Sequence, residues 1–90
     1  MAHAFAVAWR AGISALFEMP NTDPPLTTAT TIKRRIGDAD SALRALGLPL
    51  VHGLYAGVTA DEDQLREVVR THARLYPRVV GLKLYAADST

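Results

Sequence analysis

Three short apolar runs, residues 13–19, 50–55 and 79–85, alternate along this chain with stretches whose apolar residues recur every three or four positions. Each run is too short for a helix and carries β-branched or aromatic side chains, so each reads as a strand. None shows the strict polar–apolar alternation of a strand with one wet face. Strands that are apolar on both faces belong to a parallel sheet covered by crossover helices. The expected order is helix, strand, helix, strand, helix, strand: an α/β fold of three βα units with parallel strands.

Local signals place the boundaries. From Ala2 to Ala11, Phe5, Ala8 and Trp9 share one helical face, and Gly12 supplies a left-handed cap before the first strand, Ile13 to Met19. Pro20, Pro24 and Pro25 with Asn21, Thr22 and Asp23 then predict an irregular but ordered loop. Thr27 or Thr28 caps the second helix, whose inner side is Ala29, Ile32, Ile36, Ala39, Leu43 and Leu46, and Gly47 closes it. A second strand, Leu50 to Tyr55, precedes Thr59-Ala60-Asp61-Glu62, which has the form of a capping box. Leu65, Val68, Val69, His72 and Tyr76 are expected to line the inner side of the third helix; Pro77 stops it, and Val79 to Tyr85 is the third strand.

With 90 residues, 49% of them hydrophobic and 21% charged, the chain has room for one small domain with a core. Ten basic against nine acidic residues leave a formal charge of +1, and Lys33-Arg34-Arg35, the basic cluster, reads as the solvated side of a helix. No basic face with stacking aromatics marks a nucleic-acid partner. The absence of cysteine rules out disulfides, thiolate metal sites and a cysteine nucleophile, and is compatible with a reducing cytoplasm. No apolar run approaches the roughly 18 residues of a membrane span, so a soluble, cytoplasmic protein with no membrane partner is expected.

Two positions carry chemistry in places where a buried strand or its end should be. Period-two alternation puts Lys83 on the face of Val79, Gly81 and Tyr85, opposite Val80, Leu82 and Leu84. If the leucine face meets the helices, the ammonium points the other way, where burial is costly unless it is paired, neutralised or modified. The plainer alternative is a lysine near enough to the strand end to reach solvent or an acid. Asn21 is the substrate-contact candidate, because its amide both donates and accepts and its loop is stiffened by proline; the alternative is an Asx-type turn. His3, His52 and His72 form neither His-x-His nor His-x-x-x-His.

Met19-Pro20-Asn21-Thr22-Asp23-Pro24-Pro25 and Gly81-Leu82-Lys83-Leu84-Tyr85 together resemble the dihydroorotase branch of the cyclic amidohydrolases, over most of the chain. The resemblance implies a partial (β/α)8 TIM barrel, three of its eight βα units, since a complete barrel takes about 250 residues. It implies an enzyme that opens the cyclic amide of dihydroorotate to N-carbamoyl-aspartate, or closes it in pyrimidine biosynthesis. In that family the lysine matching Lys83 is carboxylated by carbon dioxide, and the resulting carbamate bridges two divalent ions, usually zinc. Asn21 matches the asparagine that contacts the substrate carboxylate.

The family's other ligands, a His-x-His pair on the first barrel strand, two later histidines and a late aspartate, have no counterpart here. The resemblance therefore implies an internal section, inactive alone, whose strand edges and helix faces await missing barrel segments or self-association. A noncatalytic dihydroorotase-like structural subunit, a hydantoinase or allantoinase relative, and an independent small α/β protein are the alternatives. Glu18 is either a carboxylate facing the barrel interior or a solvated strand-end charge. His52 faces either the interior or the helix layer, in a structural role. His72 is expected packed on the third helix, and His3 exposed.

Overall fold

A computed structural model describes residues 1–84. Its elements are α1 (Ala2–Arg10), β1 (Ala15–Glu18), α2 (Ala29–Leu46), β2 (Val51–Val58), α3 (Glu62–Leu75) and β3 (Val79–Leu84). The strands form one open sheet in the order β1-β2-β3, parallel throughout. This is the α/β alternation that the apolar runs imply. The first strand is shorter than its apolar run and the second runs three residues past Tyr55. Tyr85 and the Asp88-Ser89-Thr90 stretch lie outside the described residues.

Two helices end as their glycines require. Gly12 and Gly47 take φ of 87° and 65°, the left-handed region that a side chain disfavours. The next amides, Ile13 N and Leu48 N, reach back to Ala8 O and Leu43 O at 2.9 and 3.1 Å, closing both helices in the Schellman manner. At the start of α2, Thr28 accepts from Thr31 N at 3.1 Å and Thr31 Oγ1 accepts from Thr28 N at 3.2 Å, a reciprocal cap. The start of α3 departs from expectation: Asp61 is the cap, accepting from Gln64 N at 3.0 Å. A carboxylate directly before the first turn outcompetes the earlier Thr59.

The helices cover one face of the sheet. Leu54, Ala56 and Val58 of β2 and Val79 of β3 pack against Ile32 of α2 and Val68 of α3, with Leu26 of the loop closing this core. A second cluster joins Phe5 and Ala8 of α1 to Ala39 of α2 and Leu50. Helix α3 is turned from its expected orientation: Val68 and Thr71 are buried, whereas Leu65, Val69 and Tyr76 are 40, 45 and 66% exposed. Its apolar residues form one broad stripe, and only the edge carrying Val68 and Leu75 meets the sheet. The other edge stays exposed, as do Leu82 and Leu84 of the edge strand β3.

The opposite face of the sheet is open. Phe17, Gly53 and Val80 meet there, for a Cβ on Gly53 would lie 2.8 Å from the Phe17 ring and 3.1 Å from Val80. Tyr55 likewise lies over Gly81. A register shift between Leu54 and Tyr55 pairs Leu54 with Val79 but Tyr55 with Gly81. This irregularity corrects the simple alternation, putting Val79 on the helix side and Val80 on the open side.

Candidate functional site

The C-terminal ends of parallel strands are where an α/β sheet gathers loops, and both sequence-selected residues lie there. After β1 the chain turns through Pro20 and Leu26, both buried, with Leu26 N donating to Pro20 O at 3.0 Å. Gly57 N of β2 donates to Leu26 O at 2.8 Å and so ties the loop to the sheet. Thr22 Oγ1 donates to Pro24 O at 2.8 Å. Asn21 is exposed on this frame and its amide forms no hydrogen bond among the described residues, so the local turn is made by Thr22 rather than by an Asn21 Asx turn.

A side chain that the sequence did not single out holds this region together. Gln64 of α3 donates from Nε2 to Thr27 O and to Gly57 O, both at 2.8 Å. Its Oε1 accepts from Thr59 N at 2.9 Å and from Thr59 Oγ1 at 3.1 Å. Every donor and acceptor of the amide is used, joining the loop, the end of β2 and α3. Glu67, one turn further along α3, accepts from Ala29 N at 2.9 Å and fixes the start of α2. The only trace of Gln64 in the sequence is its place three residues after Asp61, in the first turn of a capped helix.

Lys83 pairs in register with Gly57 near the end of β3. It stands on the open face with Tyr55 and Phe17, opposite Leu82 and Leu84, and is exposed. Gly57 thus adjoins both features, bonded through its amide to the Asn21 loop and aligned across the ladder with Lys83.

Glu18 is neither interior-facing nor free in solvent. It lies on the helix side, where Arg35 of α2 donates from Nε to Oε1 and Oε2 at 3.0 and 3.1 Å and from Nη2 to Oε1. His52, on the same side of β2, bonds its Oε2 at 2.8 Å. Burial pushes the Glu18 carboxyl up, but the hydrogen bonds from His52 and Arg35, together with the Arg35 charge, outweigh it and hold the pKa at about 2. Arg35 therefore leaves the solvated basic cluster, while Lys33 and Arg34 remain exposed. His52 continues the network to Arg78 Nη2 at 3.0 Å, and Arg78 pairs with Asp40 at 2.9 Å.

The other histidines are elsewhere. His72 meets the Tyr76 ring edge-on at 5.9 Å, and His3 is exposed on α1. No group of three or more His, Cys, Asp or Glu able to hold a metal occurs among the described residues. These residues therefore do not fit a complete two-metal centre, and no step of a reaction is assigned to one. A cleft of about 430 Å³ runs along α3 past Arg66, Arg70 and Arg74, away from Asn21 and Lys83. No helix of the described residues is long and apolar enough to cross a membrane.

Comparison with curated proteins finds similarity to a dihydroorotase of Pyrobaculum aerophilum, 29% identical over 75 residues. The match covers 83% of this chain and 18% of the relative, so the chain corresponds to less than a fifth of that protein's length. No protein-family model matches, and no solved structure matches.

Proposed function

We propose that this chain is the part of a dihydroorotase-like, metal-dependent cyclic amidohydrolase that carries the substrate-orienting loop and the metal-bridging lysine. On this reading its three βα units are three of the eight in a TIM barrel, the open face of the sheet is the barrel interior, and the strand ends are the mouth of the active site. The observation that carries the reading is the convergence at Gly57. The proline-braced loop that presents Asn21 hangs from its amide, and Lys83 is its partner across the ladder. The dihydroorotase similarity of the sequence supports the same assignment.

The roles follow from chemistry. An exposed primary amide held on a rigid loop donates and accepts at once, which suits the carboxylate and ring amide of dihydroorotate. Lys83, once carboxylated by carbon dioxide, would be an anion able to hold zinc. Zinc ions, when bound, would supply Lewis-acid chemistry at a cyclic amide. Their remaining ligands must come from outside the described residues, so the 90-residue chain alone is expected to be inactive. The exposed apolar residues of the open face, Phe17 and Val51 at 48 and 58%, are covered in the working protein by further βα units or by self-association.

The test is zinc content by metal analysis with dihydroorotate hydrolysis, on this chain and on the longest product of its reading frame, with Lys83→Ala and Asn21→Ala variants of each. Zinc and turnover in the longer product, both lost in Lys83→Ala, are expected. Asn21→Ala should keep zinc and raise KM. A longer product with neither zinc nor turnover would replace this reading with a noncatalytic dihydroorotase-like subunit. Stoichiometric zinc in the short chain would overturn the account of its incomplete ligands.

A further inference from the structure

The His52 side chain is 0% exposed, yet it sits between charges of opposite sign. Nε2 lies 2.8 Å from Glu18 Oε2, and Nδ1 lies 3.0 Å from Arg78 Nη2. A guanidinium only donates, so Nδ1 must accept and the ring proton must sit on Nε2, donating to the carboxylate. The seat selects the neutral ring in one tautomer. A second proton can enter only at Nδ1, where it would point at a donor of a permanent cation.

Which contact yields is decided by the surroundings. From β1 comes Glu18; from α2 come Arg35, which clamps Glu18, Asp38 beside Arg35, and Asp40, which pairs with Arg78. The α3–β3 link supplies Arg78. From α1 the ring meets uncharged Phe5 edge-on at 5.8 Å, with Met1 packed against the same cluster as Phe5 and His3 and Arg10 exposed. Glu18 is fixed from the other side by Arg35 and gains attraction when His52 becomes cationic. Arg78 gains only repulsion. Its Nε is buried without a hydrogen-bond partner, its side chain is 34% exposed, and its partner Asp40 is 42% exposed. Swinging outward therefore rehydrates Nε and retains Asp40.

Arg78 stands in the link between Leu75 and Val79, where its carbonyl accepts from Leu54 N at 2.9 Å. Its guanidinium is the strut from that link to the β2 histidine. We propose that His52 is a proton-operated latch: protonation at Nδ1 releases the Arg78 guanidinium from the helix–sheet interface and loosens the α3–β3 link.

The experiment is nitrogen-15 NMR of the 90-residue chain from about pH 8 to about pH 5, following the His52 ring nitrogens and the protection of the Arg78 Nη2 hydrogens that face His52 and Asp40, corrected for intrinsic exchange. Protonation of His52 Nδ1 should coincide with an about tenfold loss of Arg78 protection, the scale of one hydrogen bond. His52→Gln keeps a donor for Glu18 and an acceptor for Arg78 without titrating, and Arg78 protection in it should be independent of pH. Protonation of His52 with Arg78 unchanged would overturn the latch. So would a ring that stays neutral until the chain unfolds, or equal loss of protection in His52→Gln.

Discussion

Glu18→Gln measures the polar cluster that the helix side of the sheet encloses. The carboxyl's pKa falls from 4.5 to about 2 because hydrogen bonds from His52 and Arg35, with the Arg35 charge, outweigh the cost of burial. At about 1.4 kcal/mol for each tenfold change in proton affinity, that drop corresponds to roughly 3 kcal/mol. Arg35 is 31% and Glu18 14% exposed, so solvent screening trims the expected loss at pH 7 to about 2–3 kcal/mol. Because the folded-state value is lowered, the stabilisation is fully present above pH 4.5 and is lost as pH falls through about 2. Urea unfolding followed by circular dichroism on both proteins at pH 7, 4 and 2 reads this directly. The gap should be widest at pH 7 and nearly gone at pH 2. A domain of this length has a total stability of roughly 0.05–0.15 kcal/mol per residue, so the variant remains measurable. A gap below about 1 kcal/mol at pH 7, or one unchanged at pH 2, would refute the assignment of the stabilisation to the ionised carboxylate.

Gly53→Ala places a Cβ 2.8 Å from the Phe17 ring and 3.1 Å from Val80 and should cost about 1–2 kcal/mol in urea unfolding. Adding Phe17→Ala should make the Gly53 change nearly neutral, since the two effects share one contact. Gln64→Ala leaves Thr27 O and Gly57 O without their shared donor and should destabilise by about 2 kcal/mol. Hydrogen exchange should then quicken at Gly57 and Leu26 well before the β1–β2 ladder, and uniform quickening would show that Gln64 is not a local clamp.

The alternation of strands and helices was legible because strands that are apolar on both faces carry the mark on nearly every residue. The outward turn of Leu65, Val69 and Tyr76 was not, because the apolar stripe of α3 is wider than its contact with the sheet and sequence periodicity does not say which edge of it is buried. Gly12 and Gly47 announced their caps through a backbone conformation that few other residues accept. The Glu18 network escaped notice because its links span 17, 34 and 26 residues, and only the parallel register brings them together. Lys83 fell on the expected side of its strand although Val79 and Val80 exchanged faces, since the register shift precedes it and alternation from Gly81 onward is undisturbed.

The two faces of the sheet consequently divide the ionisable groups. Glu18 and His52 are consumed on the helix side by Arg35 and Arg78. Lys83 stands on the other face, at the end where the Asn21 loop hangs. Glu18 is nevertheless the last residue of β1, three positions before Asn21, so its clamp fixes the base from which that loop departs. Chemistry at the mouth of the sheet then depends on the cluster only through position. In an active longer product, Glu18→Gln should raise KM through a loosened Asn21 while leaving zinc content unchanged, whereas Lys83→Ala should remove the metal.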